Sequence, residues 1–177
     1  MYIDFPDNSF NEGNSLVVYV DKCNMKCKDC DYKTSLKQKK LRKVNLDELD
    51  KYIKDNYKFI DNIILCGGEP TLNQKLIDYV INTKLKCIIY TNSLNLFNVN
   101  KFYKVYIDVK GSTEEEIIEY TGINKHYAHE LINMYKSLSK ENNVYFRVYD
   151  DKLYKFINSL NVEYDRIIKY DKVYFGG

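Results

Sequence analysis

Six short runs of apolar, β-branched or aromatic residues recur along the chain: Leu16–Val20, Ile63–Cys66, Cys87–Tyr90, Val105–Val109, Val144–Val148 and Ile167–Ile168. Each is nearly continuous rather than alternating, as strands buried on both faces are. Helical periodicity fills the gaps. Asn45 with Glu48 reads as a capping pair opening a helix with Leu46, Leu49 and Ile53 inward. Leu76, Ile77, Val80 and Ile81 mark a second helix on one face. After Gly111, Ser112 with Glu115 opens a third, whose early acids suit the helix dipole. Tyr127, Leu131, Met134 and Leu138 predict a long fourth with that face inward, and Leu153, Phe156, Ile157 and Leu160 a fifth. Such alternation predicts a parallel α/β sheet with right-handed crossovers. A closed eight-stranded barrel typically needs ~250 residues, which leaves a doubly wound sheet or an open, partial barrel. In both, ligands gather beyond the carboxyl ends of the strands.

Bulk properties narrow the class. The 177 residues are expected to form a single domain, residues 1–177, with 45% hydrophobic and 29% charged positions. A net charge of +2 makes nucleic acid an unexpected main partner. No apolar stretch approaches the ~18 residues of a membrane span. The acids within Met1–Phe10 do not resemble a secretory signal. Five cysteines, three of them crowded together, suit metal binding in a reducing compartment, so a cytoplasmic protein is expected. Tyrosine (18) and Asn, Lys and Ile recur throughout, which makes any single Tyr or Asn weak functional information.

The candidate chemistry sits where the first strand ends. Cys23, Cys27 and Cys30 are spaced C-x3-C-x2-C directly after Leu16–Val20. Three clustered thiolates can hold three corners of an iron–sulfur cube and leave the fourth iron free to bind a small molecule. Structural zinc takes four ligands, usually paired, and Cys66, Cys87, His126 and His129 form no second pair at such spacing. Gly67-Gly68-Glu69-Pro70 follows the second strand: paired glycines allow close approach of backbone, and a carboxylate beside them can accept from an ammonium. Thr91-Asn92-Ser93 follows the third. Alternation puts Asp108 and Lys110 on one side at the end of the fourth, and Arg147 in the fifth needs a carboxylate, from a ligand or from Asp108. All map to one rim, which offers a metal corner and partners for an amine and a carboxylate.

These residues resemble the radical S-adenosylmethionine superfamily, through C-x3-C-x2-C after the first strand and G-G-E-P after the second. The resemblance runs from Ile3-Asp4-Phe5-Pro6 to about Arg147. Asp108-Val109-Lys110 followed by Tyr120-Thr121-Gly122-Ile123-Asn124 is similar to the D-x-K…T-G stretch of activating enzymes for glycyl-radical enzymes, such as anaerobic ribonucleotide reductase or pyruvate formate-lyase. The resemblance implies an open partial (β/α)6 barrel. It implies that Cys23, Cys27 and Cys30 hold a [4Fe–4S] cluster whose free iron chelates S-adenosylmethionine. Glu69, after Gly67 and Gly68 of the same cofactor-binding turn, would take the amine; Asn92, Asp108, Lys110 and Arg147 would line the rest of that site. Reductive cleavage would yield a 5′-deoxyadenosyl radical that removes hydrogen from a glycine of a partner glycyl-radical enzyme, with a flavodoxin or ferredoxin-like electron donor.

The chain departs from that pattern in places. Asp29 precedes the third cysteine where an aromatic is usual, and Ser93 stands where glycine is common. Asn8–Asn14 replaces a G-P-G-like turn. A second reading is a small-molecule radical enzyme similar to 7-carboxy-7-deazaguanine synthase, since Cys30-Asp31 is like the start of its C-D-T, which Tyr32 breaks. A third is a non-enzymatic zinc module. Cys66 and Cys87 read as buried apolar positions, His126 and His129 as solvated. The run Lys37–Lys43 reads as a basic loop able to dock an acidic donor or partner enzyme.

Overall fold

A computed structural model describes residues 1–30, 32 and 41–170. Lys37–Lys40 and the Asp31 that follows Cys30 lie outside the described residues. The six apolar runs become six parallel strands: β2 (Ser15–Val20), β4 (Asn62–Gly67), β5 (Lys86–Thr91), β6 (Lys104–Asp108), β7 (Val144–Val148) and β8 (Ile167–Lys169). Two strands that the hydrophobic pattern does not reveal extend the sheet: β1 (Tyr2–Asp7) runs antiparallel to β2, and β3 (Arg42–Lys43) antiparallel to β1. The order is β3-β1-β2-β4-β5-β6-β7-β8. The basic run thus ends in an exposed edge strand rather than a loop.

Helices α1 (Leu46–Asn56), α2 (Gln74–Ile81), α3 (Glu114–Thr121), α4 (Lys125–Leu138) and α5 (Asp151–Asn158) connect the strands. The capping box forms as expected, with Glu48 N–H on Asn45 and Asn45 N–H on Glu48. The third helix starts one residue later than its sequence predicts. Thr113 is the cap for Glu116 N–H, while Ser112 donates from both N and Oγ to the Glu116 carboxylate. On α4 the buried stripe is Ala128, Leu131, Tyr135 and Leu138. Tyr127 is 48% exposed, since a phenol on a helix's first turn keeps its hydroxyl in water at little cost.

The five helices choose between the two candidate architectures. Their buried residues, among them Leu49, Val80, Ile117, Leu131 and Ile157, join one cluster with Val18, Leu65, Ile89, Ile107 and Phe146 of the strands. The other face of the sheet carries Val17, Tyr19, Ile64, Cys66, Ile88 and Tyr106, with Phe10, Tyr90 and Tyr145 against them. A doubly wound sheet has helices on both faces; these five pack on one, and the sheet is an open partial barrel with a tyrosine-rich inner face. The segment between β1 and β2 fills the base of that face. Phe10 packs 5.0 Å from the Tyr90 ring, and the Glu12 carboxylate accepts from Lys104 Nζ at 2.8 Å and from the Tyr106 hydroxyl at 2.6 Å.

Phe146 is fully buried at the centre of the helix-covered face, edge-on to Tyr135. Phe146→Ala is expected to cost roughly 3–5 kcal/mol, measured by urea denaturation, with no change in the slope of the transition.

Candidate functional site

The loop after β2 carries Cys23, which is exposed, and Cys27 and Cys30, which are half-buried. Backbone hydrogen bonds hang it between two neighbours. On one side Gly68 N–H bonds Val20 O and Glu69 N–H bonds Lys22 O, both at 2.7 Å. On the other, Lys26 N–H bonds Thr121 O at 2.8 Å and Lys28 N–H bonds Tyr120 O at 3.0 Å. Those carbonyls are free because α3 stops there: Gly122 adopts φ +71° and returns its N–H to Ile118 O. The Thr121-Gly122 stretch is therefore a helix end that holds the thiol loop. Met25, buried, anchors the loop's midpoint in the core.

Both glycines of the next turn are sterically required. Gly67 has φ +102°, and a Cβ on Gly68 would lie 2.1 Å from the carbonyl oxygen of Lys22. The Glu69 carboxylate beside them is only 1% exposed. Its Oε1 accepts from Thr71 N (3.1 Å), Thr71 Oγ1 (2.7 Å) and Thr91 Oγ1 (2.6 Å), and its Oε2 from Asn92 N (2.8 Å). Burial pushes this carboxyl up, against the four donors that stabilise its anion. Glu69 thus ties the ends of β4 and β5 together, a role its sequence position beside two glycines does not announce. Asn92 continues the chain of contacts, donating Nδ2 to Asn24 Oδ1 at 2.8 Å. Ser93 takes φ +68°, the left-handed conformation that explains why glycine suits this position.

Asp108, Lys110 and Arg147 do converge. Arg147 Nη1 lies 3.1 Å from Asp108 Oδ1, and Lys110 Nζ 3.5 Å from Asp108 Oδ2. The register pairs Asp108 directly with Arg147 across β6 and β7. The Arg147 guanidinium also sits over the rings of Tyr90 (5.0 Å) and Tyr170 (4.4 Å). Burial pushes the Asp108 carboxyl up, but Arg147 and Lys110 outweigh it and hold the group below the ordinary carboxylate range. Burial pushes the Cys27 thiol up, and the Lys110 ammonium acts against that rise.

Residues to which the sequence assigned no role at the site complete the rim. Asn24 links the thiol loop to Asn92, and Tyr120 donates its hydroxyl to Asp29 O at 3.3 Å with Tyr149 6.2 Å away. The signals were present but diluted: Asn24 adjoins Cys23, and Tyr90 lies on the same side of the sheet as Arg147. Cys66 and Cys87 are buried in the apolar clusters, as expected. His126 and His129 are exposed, with His129 2.8 Å from Glu114. Among the described residues no three His, Cys, Asp or Glu side chains converge on a point that holds one metal ion. Thiolates of a cubic cluster bind separate irons and need no common point.

Asp108→Asn would leave the Arg147 guanidinium buried beside a neutral amide. It is expected to cost roughly 1–3 kcal/mol at pH 7 in urea denaturation of the metal-free protein. The sign with pH follows from the depressed carboxyl. Its contribution is present above about pH 4, the unfolded value, and is lost as pH falls through the folded one. The gap between wild type and variant is therefore expected to close in acid.

Comparison with known proteins agrees with this geometry. No curated protein matches the sequence. Solved structures share the fold at low identity. The chain superposes on anSMEcpe with bound AdoMet with a TM-score of 0.62, at 18% identity over 88% of this chain and 52% of that one. SuiB of Streptococcus suis gives 0.58, at 16% identity over 85% and 38%. TYW1 with a lysine-pyruvate adduct bound gives 0.56, at 16% identity over 84% and 62%. The chain thus spans less than two thirds of each of these structures, and about half of the first. The model of a 4Fe-4S single cluster domain matches residues 11–123, from the segment under the inner face through the thiol loop to the end of α3. With that match covering most of the chain, and three thiols poised at the mouth of the barrel, this protein belongs to the 4Fe-4S single cluster domain family.

Proposed function

We propose that the chain is a radical S-adenosylmethionine enzyme, acting as one domain in the cytoplasm. On this reading Cys23, Cys27 and Cys30 hold a [4Fe–4S] cluster. The observation that carries the proposal is the placing of the thiol loop beside Asp108, Lys110 and Glu69 at the carboxyl ends of parallel strands. The residues fit the group: three sulfurs on one loop, two of them half-buried, face a rim of opposite charges and aromatic rings. Bound AdoMet in a structure of the same fold supports it. Together the cluster and S-adenosylmethionine supply, by one-electron cleavage, a 5′-deoxyadenosyl radical.

The chain's own residues would then bind and orient. Lys110, an ammonium held charged by Asp108, presents a cation to a carboxylate beside Cys27. Gly67 and Gly68 let the turn pass close against the backbone of Val20 and Lys22, which seats the start of the thiol loop beside Glu69. Glu69 cannot lend its whole carboxylate, because Oε1 already serves three donors; Oε2, with one, is the oxygen left for an amine. Arg147, paired to Asp108 and stacked between two tyrosines, orients the acid and walls off the inner face. Asp29 offers no ring, so Tyr120 and Tyr149 supply the aromatic surface next to the loop.

We assign the hydrogen-donating substrate to a glycine of a partner glycyl-radical enzyme of the anaerobic ribonucleotide reductase kind. The D-x-K…T-G stretch supports this, and so does an inner face whose base is already filled by Phe10 and Glu12. A substrate atom presented on a partner's loop reaches such a shallow site. An acidic flavodoxin or ferredoxin-like donor would meet exposed basic residues such as Arg42 and Lys43.

After anaerobic reconstitution and reduction by dithionite, the protein is expected to release 5′-deoxyadenosine from S-adenosylmethionine, and Cys27→Ala to lower that output at least a hundredfold. Added anaerobic ribonucleotide reductase is expected to show a glycyl doublet in electron paramagnetic resonance. Deoxyadenosine release driven instead by a free purine-like compound, with no doublet from any glycyl-radical enzyme, would favour the 7-carboxy-7-deazaguanine synthase-like reading.

A further inference from the structure

The hydrogen bonds at the end of β5 fix the orientation of two side-chain amides in turn. Asn92 Oδ1 accepts from Leu94 N–H at 3.1 Å, so its Nδ2 must point the other way, toward Asn24. Asn24 meets that donor with Oδ1 at 2.8 Å, which turns its own Nδ2 away from Asn92. The Nδ2 atom is buried, yet among the described residues it has no hydrogen-bond partner. Leaving a buried donor unpaired costs about 1–3 kcal/mol, and a group left so calls for an explanation, such as a redox role or a bound ion.

The neighbourhood tells what that ligand is. Cys23 Sγ lies 3.9 Å from Asn24 Oδ1, close enough for the thiol proton to reach the amide oxygen. The two ends of an amide are ~2.2 Å apart, so Asn24 Nδ2 stands within about 6 Å of the Cys23 sulfur. A Cys23 that ligates iron has lost its proton and can only accept. The unpaired donor then has an acceptor sulfur in its neighbourhood.

We propose that Asn24 is a positioning residue that donates its side-chain N–H to a sulfur of the iron–sulfur cluster, with Asn92 locking the amide in that orientation. The inference rests on Cys23, Cys27 and Cys30 being the cluster's ligands. A hydrogen bond to a cluster sulfur stabilises the reduced, more negative state and raises the reduction potential. Asn92, itself tied through its N–H to Glu69, thereby couples the glycine–acid turn to the ease of reducing the cluster.

The test uses the reconstituted full chain labelled with 15N in its asparagine side chains. Pulsed electron paramagnetic resonance of the dithionite-reduced cluster is expected to show a 15N coupling that is lost in Asn24→Leu. A redox titration is expected to place that variant's midpoint potential below the wild type. Asn92→Thr keeps Asn24 but frees its amide, and is expected to weaken the coupling and lower the potential in the same direction. It serves as the test should Asn24→Leu assemble no cluster. Unchanged coupling and potential in these variants would overturn the inference. A Cys23→Ala chain that still assembles an unaltered cluster would instead overturn the ligand assignment beneath it.

Discussion

A buried carboxylate has to be answered by donors, and Glu69 is answered by four. That requirement organises the upper edge of the sheet. It draws Thr71 and Thr91 onto one oxygen and the backbone of Asn92 onto the other, so the ends of β4 and β5 cannot separate without exposing an unpaired charge. Through Asn92 the same network reaches Asn24 and the thiol loop, while the Glu69 N–H bonds back to Lys22 O. The three thiols are therefore positioned by hydrogen bonds from a neighbouring turn and from the open end of α3, not by contacts among themselves.

The second constraint is that helices α1 to α5 pack on one face of the sheet. The helix-covered face is aliphatic, with Phe146 and Tyr135 at its centre; the inner face is built of tyrosines and charges. Polar groups are affordable there because they pair with one another: Glu12 with Lys104 and Tyr106 at the base, and Asp108 with Lys110 and Arg147 at the rim. The lower pairs fill the barrel and the upper ones border the thiol loop. Among the described residues no helix is long and apolar enough to cross a membrane.

Much of this was legible in the chain. Strands buried on both faces leave unbroken apolar runs, and all six parallel strands were readable for that reason. β1 was hidden because Asp4, Pro6 and Asp7 interrupt it, and β3 because two exposed basic residues look like a loop. Choosing a partial barrel over a doubly wound sheet rested on the motif resemblance, since one-sided helix packing leaves no periodic mark on the strands. At the site, spacing exposed the three cysteines, and alternation the Asp108–Lys110 pair. Whether Arg147 meets Asp108 or a ligand depended on strand register, which no single strand encodes. The commitment of Glu69 to four internal donors was equally invisible, because Thr71 and Thr91 are unremarkable residues until folding brings them together.

The central claim is a cluster on Cys23, Cys27 and Cys30 with one iron left open to S-adenosylmethionine. Electron–nuclear double resonance on the reduced cluster with S-adenosylmethionine labelled by 17O in its carboxylate and 15N in its amine addresses it directly. The account requires hyperfine coupling from both labels to the cluster, together with a changed spectrum when the ligand is added. A spectrum indifferent to S-adenosylmethionine, with no coupling from either label, would contradict it.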